Sequence, residues 1–125
     1  MSPEKARVLV VEDNLPIQRL IGTRLKLGGH TVASTASNLK EALECAEKAP
    51  ELRINVAIVD GNLGTSPRDC DDGRKVAERL RRVAPGVKII ACSASLNADY
   101  GDDYGGVKKD KEKQIREIGK IVTSL

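Results

Sequence analysis

Five residues of this chain could share one piece of chemistry although they stand far apart: Glu12, Asp13, Asp60, Ser93 and Lys108. Glu12 and Asp13 directly follow four branched apolar residues in VLVVEDN, residues 8–14. Two adjacent carboxylates repel each other, and burial beside an interior-type stretch raises their cost further. Either the strand reaches the surface and water takes the charges, or something cationic sits there. Asp60 closes VAIVD, Ser93 closes IIACS and Lys108 closes GGVK. Carboxylates suit a hard divalent cation, and a carboxylate can also act as a nucleophile. A hydroxyl and an amine beside them can meet the charge of a transferring group. One polar strand end is ordinary. The joint pattern, each residue type having a use in the same reaction, favours the cation site over a solvated strand end.

The elements that must position these residues are strands. Apolar runs at Val8–Val11, Val56–Val59 and Val87–Cys92 are continuous rather than alternating, as when both faces of a sheet are covered. His30–Thr35 is a weaker candidate and Tyr104–Lys108 a poor fifth. Helical patterns lie between them. One carries Ile17, Leu20, Ile21 and Leu25, with Pro16 at its start and Gly28-Gly29 at its end. Asn38 with Glu41 has the spacing of a capping box ahead of Leu39, Ala42, Leu43 and Ala46. Val76, Leu80 and Val83 mark a third helix ended by Pro85-Gly86, and Ile115, Ile118 and Val122 a last one. Strand–helix alternation implies a parallel sheet, whose ligands bind at the carboxyl ends of the strands. Between strands four and five SLNADYGDDYGG lacks helical periodicity, so a helix there is short or absent.

The composition narrows the class. With 125 residues, and no internal repeat or linker, residues 1–125 read as one domain able to bury a core. There is no Trp or Phe, and Tyr100 and Tyr104 are the two aromatics, so Val, Ile, Leu and Ala must build the core. Cys45, Cys70 and Cys92 lack metal-ligand spacing and read as free thiols of a reducing compartment. No window is apolar enough for a membrane span and the N-terminus has no signal-peptide stretch, which reads as cytoplasmic. A net charge of +3 and so few aromatics do not point to nucleic acid.

The order acid pair, Asp, Ser, Lys on successive strands resembles the receiver domain of two-component response regulators, the CheY-like family, over the whole chain. VLVVEDN, VAIVDGNL, Ser93-Ala94 and Val107-Lys108 carry the resemblance. It implies a flavodoxin-like, five-stranded parallel sheet of order 2-1-3-4-5 with helices on both faces. It also implies Mg2+ (or Mn2+) held by Asp13, Asp60 and the Asn62 backbone carbonyl, with Glu12 acting directly or through water. Asp60 would accept a phosphoryl group from a histidine kinase or a histidine phosphotransfer protein. Lys108 and Ser93 would meet the phosphoryl oxygens, and the change would switch binding of an unidentified downstream protein. Lys108 is preferred to Lys109 because the family's helix-five apolar residue falls seven positions on, at Ile115 rather than Arg116. Such a chain is a signalling domain, at most catalysing its own phosphoryl transfer and dephosphorylation. A stand-alone receiver is the expected form, although one cut from a longer regulator would read the same.

Several features depart from the family. Gly64 stands where a proline is usual, Lys109 replaces the proline after the active lysine, and Gly105 takes the place of the switch aromatic, with Tyr104 one residue away. These support an alternative, a pseudo-receiver that acts as a phosphorylation-independent scaffold. A flavodoxin-like cofactor binder is a third reading, opposed by the lack of aromatics to sandwich a flavin. Asp69, Asp71 and Asp72 read as a solvated loop rather than a second cation site. His30 lies away from the acid-bearing strand ends, and Cys92 reads as a small core residue.

Overall fold

Strand β1 (Arg7–Val11) lies between β2 (Thr31–Ala36) and β3 (Val56–Val59), and β3 pairs with β4 (Lys88–Ala91). All pairings are parallel, in the order β2-β1-β3-β4. The computed structural model describes residues 6–64, 67–92, 100–102 and 111–124. The expected fifth strand at 104–108 falls outside the described residues, as does most of the stretch expected to hold a short or missing fourth helix.

The sheet has a core on each face, which is why its inner strands do not alternate in polarity. Leu9, Val11, Ala57, Val59, Ile89 and Ala91 enter one core, while Val8, Val10, Val56, Ile58 and Ile90 enter the other. The first core is closed by α2 (Leu39–Glu47), the single turn α3 (Ala49–Leu52) and α4 (Asp71–Val83), through Ala42, Ala46, Val76, Ala77 and Leu80. The second is closed by α1 (Leu15–Leu27) and α5 (Lys111–Thr123), through Ile21, Leu25, Ile115 and Ile118. β2 pairs with β1 alone among the described strands and is half-buried, which explains its weaker apolar signal.

Local signals fix the helix ends. The Asn14 side chain accepts the Ile17 N–H at 3.1 Å and caps α1, and Gly28 closes it, with Gly29 at φ 84°. Asn38 caps α2 by accepting the Glu41 N–H. Glu41, however, does not complete the box on Asn38. Its carboxylate takes the Ser37 N–H and hydroxyl instead, both at 2.9 Å, one residue earlier than the motif prescribes. The α3 turn was not expected from periodicity, being too short to show any.

The outward edge of β4 is partly covered. Asp102 accepts the Ile89 N–H through its carboxylate and donates its own N–H to the Ile89 carbonyl, at 2.8 and 2.7 Å. Gln114 of α5 donates to the Ala91 carbonyl. Arg81 of α4 holds the Tyr100 carbonyl at 2.7 Å. Residues 100–102 are thus fastened across the edge of the sheet beside α4.

Candidate functional site

Ladder hydrogen bonds continue one residue past each strand and set the acids at the carboxyl edge. The Glu12 N–H reaches Ala36 O and the Asp60 N–H reaches Val11 O, at 3.0 and 2.9 Å. Gln18 of α1 donates to both the Glu12 and Ala36 carbonyls, pinning the ends of β1 and β2 together. The outcome is that carboxylate oxygens of Glu12, Asp13 and Asp60 lie within 4.8 Å of one another. Glu12 and Asp60 are buried, and Asp13 faces solvent. Partial burial, then the shared hydrogen bond and charge of Glu12, hold the Asp13 carboxyl above the usual carboxylate range, while a hydrogen bond with Asp60 pulls the other way. Three oxygen donors of this kind, two of them set into the fold, fit a hard divalent cation. The opening acid pair is therefore not a plain solvated strand end: Glu12 is 1% exposed.

The loop after Asp60 is tied to the first turn of α4 at each successive residue. The Gly73 N–H donates to Gly61 O at 2.9 Å. The Asn62 side chain accepts the Cys70 N–H and donates to Asp69. The Leu63 N–H donates to the Asp72 carboxylate at 2.9 Å. Contact at Gly61 and Gly73 is so close that a Cβ on Gly73 would lie 2.8 Å from Gly61 Cα and 3.0 Å from Asp60 O. Gly64 adopts φ 79°, which proline cannot reach, so the missing proline has a conformational cause.

This corrects one expectation. Asp72 is not part of a solvated loop; it is 1% exposed and faces Leu63 N. Asp71 pairs with Lys75 at 3.3 Å and Asp69 with Asn62, so these acids serve the loop and helix start. Among the described residues the group suited to a metal is Glu12, Asp13 and Asp60. Ser93, Lys108, Lys109, Tyr104 and Gly105 lie outside the described residues.

Tyr100 is the residue that the sequence reading missed. Its ring packs against Gly73, its hydroxyl donates to the Val59 carbonyl, and it is 4% exposed. Burial first, then the charge of Asp60, keep its hydroxyl protonated well above the ordinary tyrosine range. Its rarity in an aromatic-poor chain was the available signal. Cys92 is buried in the α1/α5 core as expected. His30 sits at the opposite end of the sheet, accepting the Ala6 N–H at Nδ1 and facing Thr123 and Gly119 with Nε2.

A parallel α/β sheet with three acids at the carboxyl ends of β1 and β3 defines a receiver-like class of protein. The comparisons agree: residues 8–106 match the response regulator receiver domain, and the chain belongs to that family. It is 31% identical to the "Probable transcriptional regulator ycf27" of Pyropia yezoensis across 100% of its own length. The chain spans 54% of that relative, about half the length of the curated relatives it matches. The receiver domain of a modulated diguanylate cyclase from Desulfovibrio desulfuricans G20 superposes with a TM-score of 0.63 at 25% identity, over 98% of this chain and 100% of that one. The response regulator domain of Thermotoga maritima CheB gives 0.68 at 18% identity, over 97% and 96%. Receiver domains are signalling domains that interact with histidine kinases and downstream effectors. No helix among the described residues is long and apolar enough to cross a membrane.

Proposed function

We propose that this chain is a phosphoryl-accepting receiver in which Asp60 is the acceptor, and that it works in the cytoplasm. The observation that carries the reading is the convergence of Glu12, Asp13 and Asp60 within 4.8 Å at the sheet's carboxyl edge. Mg2+ (or Mn2+) would be held by Asp13, Asp60 and the Asn62 carbonyl, with Glu12 direct or through water. When bound, such a cation neutralises charge that develops on a transferring phosphoryl group. A carboxylate oxygen of Asp60 attacks phosphorus, the bond from phosphorus to the donor breaks, and the donor leaves with that electron pair, giving an aspartyl phosphate. The donor is a phosphohistidine of a kinase or phosphotransfer protein. Lys108 and Ser93 are assigned to the phosphoryl oxygens, in the order in which the sequence sets them on the strands. The chain's catalysis extends at most to its own phosphorylation and dephosphorylation, and an unidentified protein reads the state.

Acetyl phosphate with Mg2+ tests this directly. Intact-protein mass spectrometry should show one added phosphoryl group on the wild type and none on Asp60→Asn. Equal modification of the variant would place the acceptor elsewhere, and no modification of the wild type would favour the scaffold reading.

A further inference from the structure

The buried carboxylate of Asp72 has a use that the acceptor loop itself reveals. A trans peptide unit is planar, and its C=O and N–H point in opposite directions. In the unit joining Gly61 to Asn62, the carbonyl points at α4, where it accepts from Gly73 N. Its N–H therefore points away from α4, and it meets Asp60 Oδ1 at 3.4 Å. In the next unit the relation reverses. The Leu63 N–H points at α4, where Asp72 Oδ2 accepts it at 2.9 Å, so the Asn62 carbonyl points away from α4. That is the side to which the Asn62 N–H also points, the side of the Asp60 carboxylate.

We propose that Asp72 is a positioning residue for the cation site: by holding the Leu63 N–H, it turns the Asn62 carbonyl toward the carboxylates of Glu12, Asp13 and Asp60. With the unit flipped, the Leu63 N–H would face the cation instead, and a donor there repels what a carbonyl binds. Burying a carboxylate is costly unless it is hydrogen-bonded, so its presence in the first turn of α4 calls for such a role. The Asn62 side chain, clipped to Asp69 and Cys70 N, restrains the same residue from its other end. This inference rests on the cation reading above.

Two variants separate geometry from charge. Asp72→Asn keeps an oxygen that can accept from Leu63 N and removes the charge; Asp72→Ala removes the acceptor as well. Binding is read by titrating Mn2+ and following free ion by electron paramagnetic resonance, with Leu63 amide exchange measured in parallel. Asp72→Asn should bind Mn2+ as the wild type does and keep Leu63 protected. Asp72→Ala should bind about 10-fold more weakly, the usual scale for a residue that orients a metal ligand, and lose that protection. Should Asp72→Ala not fold, Asp72→Asn decides alone. Weakening of Asp72→Asn by the same factor would mean that charge, not orientation, matters, and would overturn the proposal. Undiminished binding by folded Asp72→Ala would overturn it too, with the cation site intact. A wild type that binds no Mn2+ overturns the cation reading itself, and this inference with it.

Discussion

At Asp13 the fold holds a carboxylate where two others already stand. Its raised proton affinity comes from partial burial and from Glu12, so the fold disfavours its charged form. Replacing it by the neutral isostere in Asp13→Asn should raise the metal-free unfolding midpoint by about 2 °C. Solvent screening keeps the repulsion at this exposed group to a fraction of a kcal/mol. On the cation reading the wild type should gain a further rise with Mg2+, since ligand binding to the folded state stabilises it by mass action, and the same variant should lose that rise. Thermal melts with and without Mg2+ provide the check, and an undiminished Mg2+ shift in Asp13→Asn would remove Asp13 from the site. The acid cluster was legible because each acid ends an apolar run, and a strand's direction fixes where it ends. Asp72 was not legible. It sits among Asp69, Asp71, Gly73 and Arg74, and nothing in a polar helix start distinguishes the one carboxylate that turns inward.

Among the elements, the inner strands were readable for a physical reason: two covered faces demand unbroken runs, and Val56–Val59 matches its expected span. Residues 100–102 were not readable, because their order comes from contacts distant in sequence and not from periodicity. Gly101 fits because a Cβ there would stand 2.6 Å from Ala91 N, Asp102 bonds to Ile89, and Tyr100 fills the notch at Gly73. Tyr100 thereby joins three elements beside Asp60: β3 through Val59, α4 through Gly73 and Arg81, and β4 through its chain neighbours. Its hydroxyl ionises near pH 10 in the unfolded chain but stays protonated in the fold. Above about pH 10 the unfolded state therefore binds fewer protons, and stability falls as pH rises, at up to about 1.4 kcal/mol per pH unit. Tyr100→Phe should cost about 1 kcal/mol at neutral pH through the lost hydrogen bond. It should also show a shallower alkaline decline. Urea unfolding at a series of pH values between about 7 and 11 measures both. Parallel curves for the two proteins would show that the hydroxyl does not stay protonated.

Across the whole molecule, the two ends of the sheet do different work. The carboxyl end gathers the acids Glu12, Asp13 and Asp60 within 4.8 Å of one another. The amino end is a structural joint made by His30, which is 5% exposed. Its Nδ1 accepts from Ala6 N, so Nε2 carries the proton and faces Thr123 Oγ1 at 2.9 Å and Gly119 O at 3.3 Å. One ring thus ties the start of β1 to the last turns of α5, while Gly28 and Gly119 let α1 and α5 meet closely beside it. At the acid end α5 has a second tie, Gln114 to Ala91 O. If the ends are energetically separate, a cut at the amino end should lower global stability without touching the acids. His30→Ala removes a buried ring and its hydrogen bonds, a loss of about 2–3 kcal/mol. Hydrogen exchange should quicken first in α5 and at the start of β1. If the ends are separate, the rise in unfolding midpoint with Mg2+ and the phosphoryl uptake from acetyl phosphate should persist, because independent sites act additively. Loss of the Mg2+ response in a folded His30→Ala would instead mean that α5 transmits between the two ends, making the joint part of the signalling path.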